Sequence, residues 1–178
     1  MAVDRAAVGE RAESDAALTA FVIEHYDRLL RLALLVCRDA SDAADAVQVG
    51  LEQAWRRRST LREEAGRRAW LDRIVTREAI RVSKSRQSLL SRLFRPRRGV
   101  MWVEPSDARA IEPSMPLALH AAFEMLSAEQ RAVVGLHLHA GYSVAETAVI
   151  VGAPEETVRS RLRSARRLLR AELEESGR

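Results

Sequence analysis

The stretch from Ser143 to Leu169 constrains the fold more than any other part of the chain. Ser143-Val-Ala-Glu146 is a capping box, in which the serine side chain takes the amide of the third helical residue and the glutamate reaches back to the serine amide. The helix it starts ends by Val151, because Gly152-Ala153-Pro154 offers a residue tolerant of left-handed backbone and then a proline that breaks the amide ladder. A second helix follows, with Val158, Leu162, Ala165 and Leu169 on one seam and Glu156, Ser160, Arg163, Ser164 and Arg167 opposite. Two helices joined by so short a turn cross closely, so a small residue must face the partner. Ala148 is placed for that, and Val158 anchors the second helix. The segment predicts a helix-turn-helix with separated buried and presented faces.

Charge along the chain says what the presented face meets. The net charge of +4 hides four blocks: residues 1–55 carry −5, 56–99 carry +11, 100–152 carry −4 and 153–178 carry +2. Within the last block, Thr157 to Ala171 holds six arginines and no acid. A merely solvated helix face would intersperse glutamates. Clustered arginine is the footprint of a polyanion, since each neutralised phosphate releases condensed counterions. Ser160, Arg163, Ser164 and Arg167 suit base edges in a major groove, while Arg159, Arg161 and Arg166 flank them at phosphate positions. Glu155 and Glu156 complement the dipole of the helix that they begin.

Elsewhere the apolar spacing is again helical. Leu18, Phe21, Val22, Leu29, Leu30, Ala33 and Val36 recur at three- and four-residue steps and predict a helix over 16–37. Ser41 is a suitable N-cap for a second helix over 42–57, with Ala43, Val47, Leu51, Ala54 and Trp55 on its stripe. A third is expected over 67–84, through Trp70, Leu71, Ile74, Val75 and Val82. From Gln87 to Pro116 periodicity fails, and four of the five prolines fall there with Gly99, so this segment reads as a linker. It holds an apolar patch, Val100 to Val103, expected to dock on a flanking domain. Helices resume at Leu117–Leu126, at the second capping box Ser127-Ala-Glu-Gln130, and finally after Gly152-Ala153-Pro154, running to about Glu174. Leucine and alanine at helical spacing, with aromatics at only 4%, give an all-α fold of two small helical domains joined by a flexible linker.

Several chemistries are excluded. A single cysteine, Cys37, rules out an intramolecular disulfide and a thiolate metal cluster; following an apolar run, it is expected to be a buried, inert thiol. His25, His120, His137 and His139 show no metal-ligand spacing, and there is no glycine-rich phosphate loop or nucleophile elbow. No metal, cofactor or small-molecule substrate is implied, and nothing supports an enzyme. No run approaches about 20 apolar residues, and the N-terminal stretch mixes in acids, so a chain not inserted in a membrane and acting in the cytoplasm is expected.

A helix-turn-helix alone does not separate a regulator from an initiation factor, and the N-terminal half decides. Asp42-Ala-Ala-Asp45-Ala-Val-Gln48-Val-Gly-Leu51-Glu-Gln-Ala-Trp55 resembles the Asp-Leu-Val-Gln-Glu-x-Phe-x-x-Ala-Trp stretch of extracytoplasmic-function sigma factors of the sigma-70 family. Arg68-Ala-Trp70-Leu71-x-Arg73-Ile74 is similar to that family's Phe-x-x-Trp-Leu-x-x-Ile segment, and Leu126 to Arg131 with Gly152 to Arg166 is similar to its C-terminal region. The resemblance spans about 18–86 and 117–173. It implies a region 2 over 16–86, a linker over 87–116 and a region 4 over 117–175, the last a winged-helix-like helix-turn-helix.

The resemblance also implies partners. Region 2 would hold the β′ clamp helices of core RNA polymerase through Asp42, Asp45, Gln48 and Leu51, and would melt and read the −10 promoter element. The basic residues Arg62, Arg67, Arg68, Arg73, Arg77 and Arg81 would lie along that DNA, and the loop from Ser59 to Arg67 corresponds to one that captures an unstacked base. Region 4 would dock on the β flap and read the −35 element. Thr157, Arg159, Ser160 and Arg163 correspond to the family's −35 readers, with Arg161, Ser164, Arg166 and Arg167 alongside. A cognate anti-sigma factor is a further implied partner. The chain departs from the family at Ala46, Val49 and Leu51, where Leu, Glu and Phe are common, and at Arg77, where Asn is usual. The first three predict weaker core binding; Arg77 predicts a phosphate contact in place of base reading. The alternative is a helix-turn-helix regulator that binds an operator without polymerase.

Overall fold

The computed structural model describes residues 5–61, 66–93 and 117–176, and over these residues it holds helices and turns with no strand. The helices are α1 (Arg5–Cys37), α2 (Ala40–Arg56), α3 (Arg67–Leu93), α4 (Leu117–Glu124), α5 (Ala128–Val134), α6 (Val144–Val151) and α7 (Glu155–Ser176). A 3-10 turn, Arg58–Thr60, follows α2, and a π turn, Gly135–His139, continues α5. The all-α expectation therefore holds. The wing expected beside the helix-turn-helix is not formed, because a wing is a strand pair and residues 117–176 contain none.

Three of the helix boundaries that differ from the sequence reading do so for a clear local reason. α1 begins at Arg5, eleven residues earlier than expected: Arg5 to Asp15 is rich in Ala, Glu and Arg and contains no proline, so propensity extends the helix beyond its apolar stripe. The cap of α2 is Asp39, not Ser41. α1 closes with Arg38 in left-handed backbone (φ 65°), its amide bonded to Leu34 O at 2.8 Å, which leaves Asp39 as the first extended residue, and its side chain accepts from the Asp42 amide at 3.0 Å. α3 runs through the expected linker start to Leu93, since Gln87 to Leu93 has neither Gly nor Pro to stop it. The four linker prolines and the apolar patch from Val100 to Val103 lie outside the described residues.

The first three helices share one core, in which Leu29, Ala33 and Val36 of α1 meet Ala43, Ala46 and Val47 of α2 and Leu71, Val75 and Ala79 of α3. The alanines let the axes approach. At Gly50 a Cβ would lie 3.0 Å from Val75 Cγ2, so only hydrogen fits without a shift between α2 and α3. A second core, Leu126, Val133, Val134, Ala148, Val158, Leu162 and Ala165, closes the helix-turn-helix. Each fully buried Val or Leu there contributes about 1.5–3 kcal/mol. A third cluster joins the two units: Leu32 of α1 packs with Leu136, Tyr142 and Ile150, while Ala128 and Ala132 of α5 sit in the first core.

Candidate nucleic-acid and polymerase interface

The helix-turn-helix forms as its local chemistry dictates. Ser143 Oγ accepts the Glu146 amide at 3.1 Å, and Glu146 Oε2 accepts the Ser143 amide at 2.8 Å. Those bonds hold the Glu146 carboxyl below the usual carboxylate range. α6 ends at Gly152 in left-handed backbone (φ 72°, ψ 44°), its amide bonded to Ala148 O at 2.9 Å. Ala148 and Val158 are buried at the crossing, as are Leu162 and Ala165 farther along the seam.

The opposite face of α7 is open. Arg159, Ser160, Arg163, Arg166 and Arg167 are exposed, and Thr157 and Arg161 are half-buried. Arg163 Nη2 donates to Glu156 Oε1 at 2.8 Å, and Arg159 Nη2 to Glu155 Oε2 at 2.7 Å. The Arg163 hydrogen bond lowers the Glu156 carboxyl pKa. These solvated pairs lay the guanidiniums along the surface and are weak enough for a phosphate or a base to displace. Ser164 differs from the sequence reading: it is half-buried, and its Oγ accepts from Gln130 Nε2 of α5 at 3.2 Å. In this state that hydroxyl ties α7 to α5.

On α3, Arg73, Arg77 and Arg81 recur at four-residue steps and share one face. Arg81 pairs with Glu78 at 2.5 Å, which raises its pKa. Arg67 is half-buried, with its guanidinium 5.4 Å from the centre of the Phe21 ring. Arg68 donates to Ala140 O at 3.2 Å and lies 5.6 Å over the Tyr142 ring. Arg77 donates from Nε to Ile150 O at 2.9 Å and from Nη2 to Val149 O at 3.1 Å. Burial, then the Arg73 charge, lowers the Arg77 pKa. Arg62 lies outside the described residues, as does the middle of the loop expected to capture a base.

α2 separates its expected polymerase contacts into two kinds. Asp45 and Gln48 are exposed, away from the buried stripe of Ala43, Ala46, Val47, Gly50 and Ala54. Asp42 is committed to the fold: it accepts from Arg86 at 2.8 Å, beside Asp39 at 2.6 Å, and the two carboxylates hold the Arg86 pKa above its ordinary value. Leu51 is half-buried against the first core. Ala46 is fully buried, where a larger side chain would have no room without a shift.

Sequence reasoning missed the buried polar residues between the two units. Arg131 is 5% exposed and donates to Val36 O at 2.9 Å and Ser83 Oγ at 3.1 Å. Asp72 is fully buried and accepts from Arg28 at 2.8 Å and Tyr142 at 2.7 Å. The available signal was an arginine between Gln130 and the apolar run Ala132-Val133-Val134, and an aspartate between Leu71 and Ile74.

Two family models match the chain: Sigma-70 region 2 over residues 21–88 and Sigma-70, region 4 over residues 117–169. Among characterised relatives, the chain is 35% identical over 146 residues to the ECF RNA polymerase sigma factor SigM of Mycobacterium tuberculosis, covering 80% of this chain and 69% of SigM. It is 34% identical over 171 residues to SigL of the same organism, covering 95% of this chain and 96% of SigL. Among solved structures, the sigma factor RpoE in complex with the anti-sigma factor NepR from Bartonella quintana matches with a TM-score of 0.67 at 24% identity, over 88% of this chain and 96% of RpoE. CnrH, in complex with the cytosolic domain of CnrY, matches with a TM-score of 0.61 at 21% identity, over 92% and 94%. These two likenesses are of fold.

Proposed function

The chain belongs to the extracytoplasmic-function group of the sigma-70 family, and from that premise we propose how its residues divide the work of initiation. It is a sigma factor, binding core RNA polymerase and directing promoter-specific transcription through −10 and −35 recognition. The observation that carries the assignment of roles is the open face of α7, whose exposed arginines run from Arg159 to Arg167 with no acid among them, behind a fully formed helix-turn-helix.

In this reading Ser160 and Arg163 reach base edges of the −35 element, with Thr157 beside them. Arg159, Arg161, Arg166 and Arg167 hold the flanking phosphates. Arg67, Arg68, Arg73, Arg77 and Arg81 track the −10 DNA, with Arg62 in the adjoining loop. Asp45 and Gln48 make the direct contact with the β′ clamp helices, while Asp42 and Leu51 set the angle of α2 from within. The chain works as a binding factor and not as an enzyme, in the cytoplasm where polymerase and promoter are; no described helix is long and apolar enough to cross a membrane. A cognate anti-sigma factor is a further proposed partner, as the anti-sigma factor NepR is of RpoE in the solved complex.

Run-off transcription on a fragmented genomic library with purified core polymerase tests this. Discrete promoter-specific transcripts are expected only when the chain is added. Tight footprinting of a palindrome by the free chain, without transcripts in the presence of polymerase, would favour the operator-binding alternative.

A further inference from the structure

Two capping boxes start helices in the C-terminal unit, and they differ in what their third residue has left over. In the box of α6 that residue is Glu146, whose carboxylate accepts the Ser143 amide and is otherwise exposed. In the box of α5 it is Gln130: Oε1 accepts the Ser127 amide at 2.8 Å, and Ser127 Oγ accepts the Gln130 amide at 3.2 Å. A carboxylate would close that box equally well, because only an acceptor oxygen is used. The glutamine amide carries a donor besides. Gln130 Nε2 gives it to Ser164 Oγ of α7, 3.2 Å away. Ser164 is half-buried, between Arg163 on the open face and Ala165 in the seam. Among the described residues, the other side-chain hydrogen bonds of α7, Arg159 to Glu155 and Arg163 to Glu156, stay within the helix.

We propose that Gln130 and Ser164 are a positioning pair: their bond sets the rotation of α7 about its axis and so aims Thr157, Ser160 and Arg163 at the −35 bases, while Ser164 itself makes no base contact. The proposal rests on the reading of α7 as the −35 reader. The seam of Val158, Leu162 and Ala165 holds α7 by apolar contact, which is non-directional and tolerates a small rotation. A hydrogen bond is directional and does not. A guanidinium carried about 8 Å from a helix axis moves about 1.4 Å for about 10° of rotation, whereas a binding constellation must be held within about 0.5 Å. The capping box contributes to the aim, because it fixes the oxygen end of the Gln130 amide and thereby the direction in which the nitrogen end points.

The test is open-complex formation by core polymerase carrying the full chain, on promoters that differ at single −35 positions. Gln130→Met keeps the length of the side chain and removes both arms of the amide, while Ser164→Ala removes the acceptor and leaves the box intact. Each is expected to lower the parent's discrimination about threefold, the size of one hydrogen bond, at every −35 position that α7 reads, and the double variant no further than either alone. Ser127→Ala is the control for the cap: it removes the serine oxygen but keeps the bond from Gln130 to Ser164, so the chain should lose thermal stability and keep the parent's profile. An unchanged profile in Gln130→Met, a loss in Ser164→Ala confined to one position, or additive losses in the double variant overturns the pair. So does a change in Ser127→Ala equal to that in Gln130→Met, which assigns the effect to the cap. If Gln130→Met does not fold by circular dichroism, Ser164→Ala decides by whether its loss spreads over the positions that α7 reads. A parent that forms open complexes but discriminates at no −35 position overturns the reading of α7 itself, whereas a discriminating parent matched by its variants overturns the positioning pair alone.

Discussion

Replacing Arg163 with alanine isolates base reading from folding. The side chain is 65% exposed, its hydrogen bond to Glu156 is fully solvated, and the α7 seam of Val158, Leu162 and Ala165 lies on the opposite face. Folding stability should therefore be unchanged, which thermal unfolding checks first. In the promoter complex, a guanidinium that bonds one base bidentately contributes about 1–3 kcal/mol of discrimination against the wrong base, or about 5- to 150-fold in affinity. The assay is open-complex formation by polymerase carrying the parent or Arg163→Ala chain, on a set of promoters that differ at single −35 positions. The parent should reject substitutions at one particular position by that factor, and the variant should accept all four bases there while keeping the parent's preferences elsewhere. A uniform loss across the whole set would refute base reading and assign Arg163 to a phosphate, because a backbone contact carries no sequence information.

Other perturbations address phosphates, core, cap and thiol. Arg166→Ala should weaken promoter binding evenly across sequences and make the slope of log K against log salt shallower by about 0.9, read from a titration of ionic strength. Leu162→Ala, at a side chain 5% exposed in the helix-turn-helix core, should cost about 2–5 kcal/mol in urea unfolding. Ser143→Ala removes the oxygen that accepts the Glu146 amide and should cost about 1 kcal/mol by the same measurement. Burial pushes the Cys37 thiol from 9.0 up to about 12, so the folded state holds its proton more tightly than the unfolded state does. The associated stability is present below pH 9 and falls away as pH rises toward 12; iodoacetamide at pH 8.5 should label the chain only after urea is added.

What could be read from the sequence follows the range of the interactions. The helix-turn-helix was legible because capping boxes, a left-handed glycine and a 3.6-residue seam act within a few residues. Both Ser127 and Ser143 form their boxes as read. The α2 cap was misplaced by two residues because Asp39 and Ser41 are equally good caps, and the choice belongs to Arg38, whose left-handed backbone ends α1 and sets Asp39 extended. The end of α3 was misplaced because loss of apolar periodicity marks the end of burial, not the end of the helix; a chain of good helix formers continues into solvent. The boundary between the units was invisible. Tyr142 and Asp72 stand 70 residues apart, and each reads alone as an ordinary residue of its own element.

The charge blocks look different once their partners are known. The acidic and basic segments are partly spent on each other: Arg86 on Asp39 and Asp42, Arg58 on Asp15, Lys84 on Glu129. A promoter phosphate thus competes with carboxylates of the same chain, and net charge by segment overstates what is offered to DNA. Screening does not act equally on the two sides of that competition. Phosphate contacts are exposed and weaken steeply with salt, as do the surface pairs of Arg58 and Lys84. The bonds of Arg131 to Val36 O and of Tyr142 to Asp72 are buried, short-ranged and little screened. Rising ionic strength therefore strips promoter contacts before it loosens the packing of the two units.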